Sequence, residues 1–154
     1  MKFFPLLILF LVINFGSLAI GSWLMGDGAT SPWYTNLNKA PWTPPGWVFG
    51  AAWTLIMICF SVYLTYLFKD YKSPLLLSVF ALQVVLNVAW NFLFFNQHLV
   101  LFALITIVLL TLVIFYFFFT FRMDAMNYWR YLLLPYMIWL CIATSLNLYV
   151  LLYN

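Results

Sequence analysis

Gln83, Asn87, Trp90 and Phe94, with Asn91 beside Trp90, recur within one apolar stretch at the three-to-four-residue spacing of a helix face. Amides are costly in hydrocarbon, so this polar and aromatic stripe is expected to face the interior of a helix bundle. There it has two uses: hydrogen bonds to neighbouring helices, worth about 0.6 to 2 kcal/mol each, or orientation of a bound molecule. Other apolar stretches carry faces that suit it. One presents Phe49, Trp53, Met57 and Phe60; another presents Tyr136, Trp139, Ala143, Leu146 and Asn147. A third offers Asn14, Ser17, Gly21 and Ser22, which permit close helix approach or leave room for a ligand. Indole and phenol rings with a few amides and no charge suit a large, flat, mostly apolar molecule, held by stacking and oriented by one or two hydrogen bonds.

The same inventory excludes several chemistries. An ion or proton pathway needs ionisable groups at membrane depth, and Asp27, Asp70 and Asp124 all fall between the apolar stretches. With one histidine and no glutamate, the chain offers neither a hydrolytic triad nor a carboxylate pair. His98 sits in a polar turn with no second ligand type near it, which fits a solvated histidine better than a metal ligand. Cys59 and Cys141 lie within apolar runs, where a free thiol is a small hydrophobe, so neither a disulfide nor a metal site is expected. No resident cofactor is expected. A net charge of +3, scattered along the chain, gives no nucleic-acid footprint.

Elements that place such faces must cross a membrane. Of the 154 residues 68% are hydrophobic and 6% charged, against about a quarter charged in soluble domains. The charges divide the chain into apolar runs long enough, at about 1.5 Å per residue, to cross a roughly 30 Å hydrocarbon core. The spans expected are 3–25, 47–68, 74–95, 99–121 and 131–153. The second ends at Lys69-Asp70-Tyr71-Lys72, Asn96-Gln97-His98 supplies the turn between the third and fourth, and residues 122–127 break the fourth from the fifth. The first run is too long for a signal-peptide core and lacks a small-residue cleavage site, so it reads as a span. Continuous apolar runs disfavour a membrane barrel, whose strands alternate. The fold class expected is all-α, one domain over residues 1–154: a five-helix transmembrane bundle with a long, partly ordered loop at 26–46. The fourth span, whose polar residues before Thr120 are Thr106 and Thr111, reads as lipid-facing packing.

Five crossings put Lys2, Lys69, Lys72, Arg122 and Arg130 on one side and Lys39 on the other. The positive-inside rule then makes the N-terminus cytoplasmic and places the C-terminus and first loop outside. The cell membrane of a bacterium is the expected location. The first loop, Gly26 to Gly46, is far longer than the roughly 2 to 8 residues usual in bundles. Its Trp33, Tyr34 and Trp42, with Trp47, suit an aromatic belt at the headgroups. They also suit a lid over the bundle mouth, stiffened by Pro32, Pro41, Pro44 and Pro45, and the density of Pro and Trp favours the lid. No strong Gly-xxx-Gly pair is expected to mark a dimer face; Ala81 to Val85 and Val85 to Ala89 are only weak echoes of one.

The stretch Trp33-Tyr34, Leu37, Lys39, Pro41-Trp42, Pro44-Pro45, Trp47 and Trp53 resembles the signature of the translocator protein (tryptophan-rich sensory protein) family. Asn87, Trp90 and the segment Pro135 to Asn147 resemble that family's third and fifth helices, so the likeness covers essentially the whole chain. It departs at Lys39-Ala40-Pro41, where an alanine interrupts the usual Lys-Pro step, and at Tyr149, which no Lys or Arg follows as the animal sterol pattern requires. High-affinity sterol binding is therefore not carried over. The resemblance implies a bacterial five-helix bundle, commonly a homodimer, that binds protoporphyrin IX and synthetic ligands of the benzodiazepine-receptor type. It implies a pocket lined by Trp53, Asn87, Trp90, Trp139, Ala143 and Leu146 and closed by Tyr34 and Trp42, to which the faces read above add Phe49 and Gln83.

Three activities fit a chain with this resemblance, the first of them a chemistry that the resemblance to bacterial members implies. In the preferred one, bound porphyrin undergoes light-dependent oxidative breakdown, with Trp53 and Trp139 as the oxidisable rings at stacking distance. In the second, the protein is a passive carrier of porphyrins or similar lipophilic molecules. In the third, it is a stress sensor or scaffold whose ligand alters contacts with another membrane protein.

Overall fold

The computed structural model describes residues 2–121 and 127–154, all helix and connection, with no strand among the described residues. Five helices are long and apolar enough to cross a membrane. In chain order the helices are α1 (Phe3–Leu24), the short α2 (Pro32–Asn36) within the first loop, α3 (Gly46–Asp70), α4 (Pro74–Asn91), α5 (Val100–Thr120) and α6 (Leu134–Tyr153). A π-helical segment, Phe92–Asn96, extends α4, and a 3-10 turn, Trp129–Leu133, leads into α6. The expected break around Arg122 and Asp124 lies outside the described residues.

Local chemistry sets two of the starts. Ser73 accepts from the backbone N–H of Leu76 at 3.0 Å, with Pro74 in the first turn of α4. Ser31 accepts from Tyr34 N–H at 3.2 Å, with Pro32 opening α2. In each case a hydroxyl satisfies an orphan donor and proline occupies a position that needs none. The turn from α4 to α5 closes at His98, whose φ of 56° is left-handed.

Around the bundle, α1 packs between α3 and α4, α5 between α4 and α6, and α3 also meets α6. The end carrying Lys69 is densely filled. Phe60 is fully buried and meets Phe117, Tyr136 and Phe80 edge-on or tilted, at centroid separations of 5.9, 5.5 and 6.3 Å. Tyr63 donates to the Phe117 carbonyl at 3.2 Å. Helix α5 is not simply lipid-facing, because Ala103, Thr106, Ile107, Leu110, Ile114 and Phe117 form a buried face against its neighbours. Thr106 and Thr111 each donate to a carbonyl one turn back, at 2.8 and 2.7 Å, which lets them sit in an apolar helix.

Candidate ligand-binding site

The buried amides bond to other helices. Gln83 donates to the Tyr136 hydroxyl at 2.9 Å, and that hydroxyl donates to Asn87 Oδ1 at 3.4 Å, joining α4 to α6. Asn14 donates to Ser61 Oγ at 2.8 Å, joining α1 to α3. The Trp90 indole donates to Asn147 Oδ1 at 3.0 Å, and Asn147 Nδ2 donates to the Val100 carbonyl at 3.1 Å, so one amide links α4, α6 and the start of α5. For Gln83, Asn87 and Asn147 the interhelical use of the polar stripes is therefore observed.

At the opposite end from Lys69 the helices enclose a cavity of about 590 Å³, within the range of roughly 300 to 1,000 Å³ typical of small-molecule sites. Its walls are Leu18 and Ser22 of α1 and Met25 just after it; Gly46, Phe49, Gly50, Trp53 and Thr54 of α3; and Trp90, Asn91 and Phe95 of α4 and its extension. The first loop roofs it with Ala29, Tyr34, Lys39, Thr43 and Pro44. Its polar groups are few. Thr43 and Thr54 donate to the carbonyls of Ala40 and Gly50, at 2.7 and 2.8 Å. Asn91 Nδ2 donates to the Asn87 carbonyl at 3.3 Å. An acceptor there requires the amide nitrogen, which leaves the Asn91 carbonyl oxygen as the free end of the group. Gly21 makes room for this arrangement: a Cβ there would stand 2.8 Å from Asn91 Nδ2.

The roof is fastened at several points. Trp33 stacks on His98 with centroids 4.1 Å apart and meets Phe94 edge-on at 5.5 Å. Tyr34 leans on Phe95 at 5.2 Å, and burial pushes its phenol pKa up. The Lys39 ammonium lies 4.7 Å from the Tyr34 ring centre and donates to the Thr35 carbonyl at 3.3 Å. At the far end of the loop, Asn38 N–H donates to Asn154 Oδ1 at 2.8 Å, while Asn154 Nδ2 donates back to the Asn38 carbonyl at 3.2 Å.

Of the ten residues singled out in the sequence, Tyr34, Phe49, Trp53 and Trp90 line the cavity. Trp42, Gln83, Asn87, Trp139, Ala143 and Leu146 do not, for identifiable reasons. Trp42 lies against the outer side of α6, donating to Ser145 Oγ at 3.1 Å and meeting Tyr149 at 5.5 Å. Trp139 packs edge-on against Phe49 at 5.2 Å, and Tyr136 against Trp53 at 5.8 Å, so a row of α3 rings stands between α6 and the cavity. The indole N–H of Trp139 is buried without a partner among the described residues. Gln83 and Asn87 are occupied by Tyr136. Sequence reasoning missed the wall residues Gly46, Gly50 and Thr54, although Gly46-xxx-Gly50 is a small-residue pair legible in the sequence. It also passed over Leu18, Met25 and Phe95, for which apolar identity alone gives no signal.

The model of the TspO/MBR family matches residues 7–153. The chain belongs to the TspO/MBR family. Its similarity to curated relatives agrees with that membership. It is 30% identical over 125 residues to Protein CrtK of Rhodobacter capsulatus, covering 75% of this chain and 74% of the relative. It is 31% identical over 124 residues to the tryptophan-rich sensory protein of Cereibacter sphaeroides, covering 75% and 72%. The human translocator protein is 29% identical over 126 residues, covering 75% and 70%. As a TspO/MBR-family chain with five candidate spans, it is a multi-pass membrane protein.

Proposed function

We propose that this protein binds a flat, largely apolar tetrapyrrole of the protoporphyrin IX class in the roofed cavity and promotes its light-dependent oxidative breakdown. The observation that carries the reading is the cavity itself: about 590 Å³, walled by Phe49, Trp53, Trp90 and Phe95, with Lys39 as the one charged side chain lining it among the described residues. Aromatic faces stack on a macrocycle, and the ammonium at the mouth pairs with a carboxylate at its edge. Ligands of the benzodiazepine-receptor type fit the same combination of rings and few polar groups. In light, excited porphyrin converts dioxygen to its singlet form. That molecule adds across a methine double bond, which breaks to give two carbonyls, one oxygen atom on each, with no outside reductant. Trp53, in the wall, is the protein ring exposed to the same oxidant and the expected point of any ligand adduct; Trp139 lies behind Phe49 as a second row.

The lid end, with Lys39, faces outward and the Lys69 end faces the cytoplasm of a bacterial cell, following the distribution of basic residues. The protein is proposed to act as a homodimer. Passive carriage is the second reading, favoured by a binding cavity that, among the described residues, is lined by no carboxylate to couple movement to an ion. Dark titration with protoporphyrin IX, followed by illumination, tests the proposal. Saturable tryptophan quenching, then protein-dependent loss of the porphyrin absorption band, is expected. Saturable quenching with bleaching no faster than for free porphyrin would leave the carrier or a ligand-dependent sensor, and absence of saturable quenching would refute tetrapyrrole binding.

A further inference from the structure

Helices α1 and α3 touch closely at one end and part at the other. Near the Lys69 end, Phe3 meets Tyr66 and Phe10 meets Phe68 at about 5 Å, and the Asn14–Ser61 bond closes the seam at 2.8 Å. Beyond that bond the cavity-lining residues of the two helices that are exposed are all small, Ser22 on α1 and Gly46, Gly50 and Thr54 on α3, while Leu18, Phe49 and Trp53 are half-buried. Thr54 shares its helix side with Leu55 and Ile58, which are 53% and 45% exposed and form part of the lipid-facing surface. At Gly46 and Gly50 nothing stands within 4 Å of where a Cβ would be. The roof, by contrast, is pinned by the Trp33–His98 stack and the paired Asn38–Asn154 bonds.

We infer that the gap between α1 and α3 is a lateral portal, through which the ligand of the cavity enters from the lid-side leaflet of the bilayer, not from water through the roof. The inference deepens the proposed function by adding that the ligand class is membrane-dissolved. Small residues every fourth position also suit docking of another helix. Here, however, they front an open cavity, so a helix laid on them would seal in empty space rather than fill it.

The test uses the full chain in phosphatidylcholine vesicles with protoporphyrin IX dissolved in the bilayer, reading binding and release by tryptophan quenching. The series Gly50→Ala, Gly50→Val, Gly50→Leu narrows the gap stepwise, and the first member needs no rearrangement. Association and release are both expected to slow along the series, by ten-fold or more at leucine. A mere affinity defect would speed release instead, and release that is unchanged or faster would overturn the portal. Asn154→Ala, which removes the paired Asn38–Asn154 pin of the roof, is expected to leave both rates unchanged; acceleration of both would place the entrance at the roof and overturn the inference. So would dissociation of a cross-linkable dimer by Gly50→Leu with rates preserved. A ligand-independent arm separates this idea from the tetrapyrrole reading. A single cysteine from Asn91→Cys on the far wall, with Cys59 and Cys141 replaced by alanine, is expected to react faster with a bilayer-dissolved alkyl maleimide than with a sulfonated, water-soluble one. The opposite order would overturn the portal whether or not protoporphyrin binds.

Discussion

The indole N–H of Trp90 donates to Asn147 Oδ1 at 3.0 Å, so Trp90 presents its ring to the cavity while its donor is committed to another helix. The same Asn147 donates to the Val100 carbonyl. Asn147→Leu leaves the Trp90 donor unpaired in an apolar setting, a loss of about 1 to 3 kcal/mol, and removes a second bond to the Val100 carbonyl, which keeps its place in the α5 ladder. A lower thermal midpoint in detergent is expected, together with a shifted tryptophan emission maximum. An unchanged midpoint would show that this link is not structural.

Trp53 and Trp139 are separable by experiment. Trp53→Ala removes a wall ring and is expected to weaken protoporphyrin IX binding about ten-fold, whereas Trp139→Phe, one row back, leaves the affinity within about two-fold. Equal losses in quenching titrations would mean that the ligand reaches past Phe49. For the photochemistry, Trp53→Phe combined with Trp139→Phe is expected to slow bleaching or abolish an adduct detectable by mass; full activity would remove both rings from the mechanism.

Gly21→Ala probes the Asn91 amide. Alanine gains about 1 kcal/mol of helix propensity, while its Cβ displaces Asn91 Nδ2 and breaks the bond to the Asn87 carbonyl, a loss of about 0.5 to 1.5 kcal/mol. The two nearly cancel, so the thermal midpoint stays close to wild type. Ligand affinity falls, because the cavity wall has moved. A stable variant with unchanged affinity would exclude Asn91 from recognition.

The Tyr136 hydroxyl joins Gln83 and Asn87 in one network, so the effects of Tyr136→Phe and Gln83→Leu are expected not to add. The double variant should be less destabilised than the sum of the singles by about 0.5 to 1.5 kcal/mol, measured by unfolding in detergent. Additive losses would mean that the two groups act independently.

The membrane fold was legible because charges and turn residues are so sparse that each marks a boundary, as Lys69-Asp70 and Asn96-Gln97-His98 do. Helical period also identified correctly which faces turn inward: Gln83, Asn87, Tyr136 and Asn147 are all buried. Period cannot say which part of the interior is hollow. That depends on rings from different helices meeting, such as Phe49 with Trp139, and those contacts wall α6 off from the cavity. Trp42 was misjudged for a related reason. Its indole found a hydroxyl on α6, and no local pattern links residues 42 and 145. The loop's own helix at Pro32–Asn36 was foreshadowed by Ser31-Pro32, a start signal overshadowed by the density of prolines.

The bundle divides its labour by height. Phe60, Tyr63, Leu64, Leu67, Phe80 and Phe117 form a solid foundation near the Lys69 end, and none of them touches the cavity. The residues that shape the cup above are a different set, and several are small or half-buried. Selection can therefore rewrite the cup without undermining the foundation, so ligand preference in such a scaffold is free to drift over generations while folding is conserved.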